Sequence, residues 1–430
     1  MRALIGLLML GFVGCGSSGS AEGAGFGEEG GTAGAAGASG GKGGGGGNAS
    51  GSGGSDAGSG GSGGSDGGSG GSDAGSGGNS GSDAGQGGGG ASAGSGGEGG
   101  AGGDAGQGGA GAGGEKPCEA LPPCEGPAPD PGPKRKWNHT TSSITSTLGS
   151  PNHRGRDLFL TPGQDQWIIG KFAYGLNDKD IKDEEVDVYL QRGCGGPWEK
   201  LVTTKTTSDN KHPTVEGVED SGGRVYYKIP PEKALGPGLH RVHLVVAGDL
   251  TTTDLFLQVV EPGTPIFVSD VDGTLTTSEN VEFVKLLQGT LPDAHVDAGK
   301  ALSLLASKGY RPMYMTARPE FLVQRTREFV KARGLPFGLV HTTLTLTGAL
   351  GGTAVEYKTG ELKMLADRGL VPSWAFGNKD SDTEAYNNGN VQPLNQRVFY
   401  QFTDSKFGGR RIEAYTELLG EFAALPPACK

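Results

Sequence analysis

Four short stretches of this 430-residue chain hold side chains whose types and spacing suit the displacement of a phosphoryl group. In the first, Asp270 and Asp272 follow the apolar run Ile266-Phe267-Val268 and precede a Gly273-Thr274 turn. Two carboxylates so placed can divide the work of nucleophile and general acid or base, but a carboxylate attacks a phosphate dianion only where a cation offsets the repulsion. Mg²⁺ prefers oxygen ligands, and Asn378 and Asp382 in GNKDSD supply more of them. Thr316, Ala317 and Arg318 in MTAR offer a hydroxyl, backbone N–H groups and a guanidinium to phosphate oxygens, and Lys358 in EYK offers a positive charge. Singly, these residues have plainer readings: Thr316 as a helix cap, Lys358 as a solvated charge, Asn378 and Asp382 as turn formers. The plain reading of Asp270 and Asp272 is a calcium loop, although Gly273 and Thr274 break the EF-hand pattern. Arg318 reads equally as a head-group contact or a surface salt bridge. Joint occurrence, each at a strand end or helix start, favours chemistry.

The hydrophobic period says which elements must position these residues. From Pro265 onward, strands are predicted at 266–269, 312–316, 338–340 and 373–376, and helices at 297–308, 320–333 and 357–369. Strands and helices in alternation imply a parallel sheet with crossover helices, and ligand sites in such sheets lie at the carboxyl ends of strands. Upstream, segments 157–160, 166–174, 185–191, 198–204, 224–229, 239–247 and 254–260 are alternating or β-branched and are separated by Gly, Pro, Asn and Asp turns. They predict an antiparallel sandwich of immunoglobulin-like size. Val186, Val188 and Leu190 against Asp187, Tyr189 and Gln191 show the period of two.

DVDGT, the Thr of YMTARP, the Lys of EYK and GNKDSD resemble motifs one to four of the haloacid dehalogenase phosphatase superfamily. More closely, PIFVSDVDGTLT, TARP, EYKTGELKML and AFGNKDSDTEAY are similar to the catalytic half of lipins, which are magnesium-dependent phosphatidate phosphatases. The preceding IIGKFAYG, VDVYL, GRVYYKIP and LGPGLHRVHLVVAGD resemble the C-terminal, LNS2-containing region of membrane-associated phosphatidylinositol transfer proteins. The resemblance implies an α/β haloacid-dehalogenase-type domain preceded by an all-β immunoglobulin-like sandwich. It makes Asp270 the nucleophile that forms an aspartyl-phosphate, and Asp272 first the acid and then the base. Thr316 and Lys358 would hold the phosphoryl group, with Thr274, Ala317 and Arg318 beside them. Mg²⁺ would be held by Asp270, the backbone carbonyl of Asp272, Asp382 and Asn378. The transfer-protein relatives lack the first carboxylate and serve as lipid-sensing modules; this chain retains both. It departs from lipins at Lys379, usually Arg, and Ser381, usually Asn. No room for a large cap lies between Thr274 and Asp297, which suits a lipid head group presented at a membrane.

The N-terminal quarter is of another kind. Residues 1–14 read as a signal peptide too short to span a bilayer, and Cys15 follows in the manner of a bacterial lipobox, with Phe12 where Leu is usual. An ordinary signal peptide with an incidental Cys15 is the alternative. Most of the 86 glycines fall in the Gly/Ser-rich segment 15–115, which is expected to be a disordered tether with a root-mean-square reach of roughly 50 to 60 Å. That segment carries ten acidic residues against Lys42, so of the formal charge of −11 only about −3 belongs to the rest once Arg2 is also removed. No basic footprint for nucleic acid remains. A Pro/Cys-rich connector at 116–136, a sandwich at 137–262 and the phosphatase-like domain at 263–430 complete the expected division. If Cys15 carries lipid, four cysteines are left for two disulfides, for which Cys118–Cys124 and Cys194–Cys429 is one of three pairings, with a zinc site as a weaker alternative. The sequence thus predicts an exported, lipid-anchored, Mg²⁺-dependent phosphatase acting on phosphatidate or a related phosphomonoester. Gly16 after the lipidated cysteine is compatible with the outer membrane. A phosphatase for soluble phosphoesters and a non-catalytic phosphatidate-binding module are the alternatives.

Overall fold

The computed structural model describes Cys118, residues 121–122, residues 124–277 and residues 289–429. The signal peptide, Cys15 and the Gly-rich tether lie outside the described residues, as does 278–288 within the stretch where no cap domain is expected.

Helix α1 (Thr140–Leu148) precedes ten strands: β1 (Arg154–Gly155), β2 (Leu158–Leu160), β3 (Trp167–Lys171), β4 (Ala173–Tyr174), β5 (Lys179–Asp180), β6 (Glu185–Gln191), β7 (Trp198–Lys205), β8 (Arg224–Lys228), β9 (Gly238–Val246) and β10 (Thr252–Val259). A five-stranded sheet, in the order β2-β10-β9-β6-β7, and a three-stranded sheet, β1-β3-β8, enclose Leu158, Leu160, Ile168, Val186, Val188, Leu190, Val242 and Leu244. All pairings in the two sheets are antiparallel except that of β2 with β10. The alternation in β6 is real, yet Asp187 is as buried as its apolar neighbours. The connector covers the outer face there: Arg135 pairs with Asp187 at 2.8 Å, and its backbone N–H donates to the Ala247 carbonyl. Helix α1 was not expected, because TTSSITSTL is built of weak helix formers with no apolar stripe.

The second domain alternates as expected: β11 (Ile266–Ser269), α2 (Ala298–Ser307), β12 (Arg311–Met315), α3 (Val323–Ala332), β13 (Leu339–His341), α4 (Gly352–Ala366), β14 (Trp374–Gly377), α5 (Asp380–Asn388), β15 (Arg397–Tyr400), β16 (Arg410–Ile412) and α6 (Thr416–Ala424). Its six strands are all parallel, in the order β13-β12-β11-β14-β15-β16. The chain runs outward from β11 through β12 to β13, then crosses back to β14 on the other side. The order therefore reverses between β11 and β14, the place where open parallel sheets bind ligands. Side chains of β11 alternate across the sheet: Phe267 packs with Leu302, Tyr314 and Phe376 on one face, Ile266 and Val268 with Met313, Leu362 and Ala375 on the other. That second layer also holds Phe159, Leu239 and Phe256 of the sandwich, so the two domains share a core. Helix α4 starts five residues before its expected first residue, which moves Lys358 from the opening of a helix into its second turn.

The disulfide pairing differs from the one expected. Cys118 bonds Cys429 and Cys124 bonds Cys194, with Cα atoms 5.5 and 4.7 Å apart. Cys118 lies against Gly309 beyond α2, where the C-terminal segment is held by Ala428 N–H donating to the Lys308 carbonyl at 2.7 Å. Cys124 instead reaches the 3₁₀ turn Arg192–Cys194 that follows β6. Replacing Cys124 and Cys194 together by Ser opens a tie across 70 residues and is expected to cost about 2–4 kcal/mol. Denaturant unfolding of the variant beside the wild type checks this, and equal midpoints would refute the Cys124–Cys194 pairing.

Candidate active site

The site begins where β11 ends. The four residues of β11 are buried, and the Asp270 N–H continues the ladder by donating to the Phe376 carbonyl at 2.9 Å. The chain then turns through Gly273 at φ 78°, a left-handed conformation that suits glycine. This leaves Asp270 almost wholly buried and Asp272 with a fifth of its side chain exposed.

Lys358 reaches this point from α4. Its ammonium, 1% exposed, donates to Asp270 Oδ1 at 2.6 Å and to Asp382 Oδ1 at 2.5 Å. Asp382 lies in the first turn of α5, where a negative charge suits the helix dipole, and its Oδ2 accepts the Asn378 N–H at 3.0 Å. A Cβ on Gly377 would come within 2.5 Å of the Asp382 Cβ, so the end of β14 can approach Asp382 only as glycine. The Thr274 hydroxyl lies 2.9 Å from Asp270 Oδ2 and 3.1 Å from the Asn378 side-chain oxygen. One hydroxyl proton serves one of these oxygens at a time, so Thr274 bridges the turn after β11 and the turn after β14.

Asp272 is held differently. Its Oδ2 accepts from the Thr316 hydroxyl at 2.7 Å, while Arg318 grips it through Nε at 3.0 Å and Nη2 at 2.7 Å. The remaining Nη1 of Arg318 donates to Thr326 of α3 at 2.9 Å. Arg318 is buried, which sets aside the surface salt bridge as its reading. The Ala317 carbonyl accepts from the Ala349 N–H, and the Thr316 N–H donates to the His341 carbonyl at the end of β13, both at 2.9 Å. The structure thus brings Asp270, Thr274, Lys358, Asn378 and Asp382 into one hydrogen-bonded group, and Asp272, Thr316 and Arg318 into another beside it.

The two carboxylates differ in acidity. Burial pushes Asp270 up, Lys358 pulls it down and Asp382 pushes it up again, leaving it at about 6. Burial also pushes Asp272 up, but Arg318 and Thr316 outweigh it and hold the group below the usual carboxylate value. Burial would lower Lys358, yet its two carboxylates raise it. Among the described residues no group of three or more His, Cys, Asp or Glu side chains gathers as a metal cluster. The donors that converge are two carboxylates, Asp270 and Asp382, with the Asn378 amide oxygen, an all-oxygen set that fits a small hard cation.

Several contributors escaped the sequence. Tyr415 donates to the Thr274 carbonyl and Tyr386 to the Phe376 carbonyl, fixing the ends of the turn and of β14. His295 lies 3.3 Å from the Gly273 carbonyl. These partners lie 10, 22 and 141 residues from what they touch, with no motif to announce them.

Fold and site together define a class: a β-sandwich domain followed by an LNS2 domain. Residues 151–259 match the model of the PITM 1-3 β-sandwich domain and residues 267–400 that of the PITM 1-3 LNS2 domain. The chain is 29% identical over 295 residues to protein retinal degeneration B of Drosophila melanogaster, covering 68% of this chain and 21% of that one. It is 30% identical over 230 residues to human membrane-associated phosphatidylinositol transfer protein 1, covering 53% of this chain and 17% of the relative. The chain therefore spans about a fifth of the length of these curated relatives. Among solved structures, an amylomaltase from Corynebacterium glutamicum aligns at 14% identity over 41% of this chain and 22% of its own, with a TM-score of 0.16, too low to bear on the fold.

The raised Asp270 carries a pH signature. Its folded value of about 6 stands above an unfolded value of about 3.9, so its contribution to stability is present below about pH 4 and is lost as pH rises towards 6. In metal-free protein, the Tm of Asp270→Asn minus that of the wild type is expected to climb between about pH 4 and 6. A difference that stays flat across this interval would show that Asp270 is not raised.

Proposed function

We propose that this chain is a Mg²⁺-dependent phosphatase that hydrolyses a phosphomonoester, with phosphatidate as the substrate, through an aspartyl-phosphate on Asp270. The observation that carries the reading is the shared Lys358 ammonium between Asp270 and Asp382, beside a second carboxylate at Asp272. A module that only binds lipid has no use for two aspartates of opposite acidity two residues apart. The names of the relatives, membrane-associated phosphatidylinositol transfer proteins, support a phospholipid as partner.

Asp270 attacks phosphorus, forming the acyl-phosphate bond as the bond to the leaving alkoxide breaks. Asp272 gives that alkoxide a proton, then takes one from the water whose oxygen attacks phosphorus and releases inorganic phosphate. Mg²⁺, held by Asp270, Asp382, Asn378 and the Asp272 carbonyl, would offset the charge repulsion between carboxylate and phosphate. Lys358 keeps Asp270 in line, and Thr316 with the N–H groups at Ala317 holds phosphate oxygens. Arg318 has a double part. While it grips Asp272 the carboxyl is held too acidic to donate a proton; an arriving phosphate dianion competes for the guanidinium and frees Asp272 to take one. We propose further that the protein is exported and lipid-anchored at Cys15 to a bacterial membrane, the outer one being compatible with Gly16. The two disulfides support an oxidising compartment.

The test is phosphate release from phosphatidate vesicles with Mg²⁺. Wild type is expected to turn over, and Asp270→Asn or chelation to remove turnover by at least about a thousandfold, as loss of a nucleophile does. Hydrolysis of para-nitrophenyl phosphate with none of phosphatidate would move the substrate to soluble phosphoesters. A second reading, a non-catalytic lipid-binding module, draws on the grip of Arg318 on Asp272; it predicts vesicle binding that survives Asp270→Asn and no turnover by the wild type.

A further inference from the structure

Strand β1 and the residue after it place Arg154 and Arg156 two apart, on the same side of the strand. Both reach out of the sandwich into the LNS2 domain. Arg154 Nη2 donates to Glu320 Oε2 at 2.9 Å, and Arg224 of β8 pairs with the same carboxylate at 2.8 and 3.0 Å. Arg156 donates to Glu361 Oε1 at 2.5 Å. Glu320 and Glu361 are both buried, and their positions relative to the site are what matter. Glu320 stands two residues after Arg318, across Pro319, whose ring fixes φ and so ties the two residues in one rigid turn. Glu361 stands three residues after Lys358, on the same face of α4.

We infer that Arg154, Arg156 and Arg224 of the sandwich are positioning residues for the catalytic group: through Glu320 they set Arg318 against Asp272, and through Glu361 they set Lys358 against Asp270. The sandwich is then a part of the active site without touching it.

The arrangement around the two glutamates supports this. Glu320 begins the short turn leading into α3, which carries the Thr326 partner of Arg318, and its N–H is held by the Thr345 carbonyl at 3.0 Å. A shift of Glu320 therefore moves the backbone of Arg318 and the far end of its guanidinium together. Around Glu361 the second oxygen bonds His341 Nδ1 at 2.6 Å, and His341 Nε2 meets the Asp157 carbonyl of the sandwich at 2.6 Å. Asp157 also accepts from Val340 N–H and from Arg327 of α3. Three catalytic-domain elements, α3, β13 and α4, are thus pinned to one short stretch of sandwich, 154–157. Charge bookkeeping in the first group is closed: Arg154 and Arg224 face Glu320 and Asp178, which accepts from Arg154 at 2.6 Å. A single truncation would leave a buried charge unpaired and could unfold the protein. The instructive change removes one charge of each sign at once.

The experiment uses the full chain with the paired variants Arg224→Gln with Glu320→Gln, and Arg156→Gln with Glu361→Gln. Each is combined with a substitution in the site: the first pair with Asp272→Asn, the second with Asp270→Asn. If the pins act on the site, loosening them weakens the contacts of Arg318 and Lys358. Asp272→Asn and Asp270→Asn then lower or raise the Tm less in the paired backgrounds than in the wild type. Additive Tm shifts in either cycle overturn that limb of the proposal. This readout needs no turnover, so it stands whether or not the phosphatase reading does. Where turnover is present, an arm that does rest on that reading, each pair is expected to lower kcat by about tenfold to a hundredfold, with KM changed far less, as a small misplacement of reacting groups does. Folded paired variants with wild-type kcat overturn the proposal.

Discussion

A single ammonium group, that of Lys358, sits out of water between two buried aspartates, and the geometry of the LNS2 domain makes sense as the means of keeping it there. Two negative charges and one positive leave a residual −1 inside the protein, tolerable only where hydrogen bonds and a helix N-terminus share it. Each neighbour contributes one such bond. Thr274 and Asn378 supply them from the turn after β11 and the turn after β14, while Gly377 permits the close approach. Removing the lysine would leave Asp270 and Asp382 facing each other without a counter-charge, a change that buried pairs withstand poorly. The reversal of strand order between β11 and β14 makes the meeting possible, because it opens the gap into which α4 lowers the lysine.

The second carboxylate shows how differently two like groups can be treated within three residues. Asp270 has its charge discouraged by burial and a neighbouring acid; Asp272 has its charge secured by a guanidinium. Peptide geometry alone does not do this. The difference comes from which loop each side chain meets, Asp270 facing α4 and α5, Asp272 facing the turn after β12. Two like carboxylates can be set apart in acidity by environment and need no great distance between them.

Much of this was legible beforehand, for identifiable reasons. IFVS reads as a strand because it is short, apolar and bounded by turn formers, and its neighbours alternate with helical patterns long enough to recognise. Strands β15 and β16 were not read, being only four and three residues long and each opening on arginine. The side chains that meet at Lys358 could be named from the sequence as a set, but beyond Lys358 with Asp270 their pairings could not. Arg318 and Asp272 are 46 residues apart in sequence, and nothing local in either tells it of the other. The disulfides failed in the same way: the nearest cysteines looked like partners, while each bonds a residue brought near only by the packed domains. The shared core of Phe159, Leu239 and Phe256 with the parallel sheet was also invisible to a reading that treated the domains as separate patterns.

The Cys118–Cys429 bond closes 311 residues of chain into one covalent ring that contains both domains, and Cys124–Cys194 closes a smaller ring inside it. A ring has no loose piece to lose. One cut at any exposed loop within it, such as the loop bearing Leu346 and Leu350 beside the Arg318 turn, leaves every residue of the candidate site on a single molecule. Only reduction or a second cut would separate the halves, so this fold can survive a nicking protease as an intact, merely linearised, set of contacts.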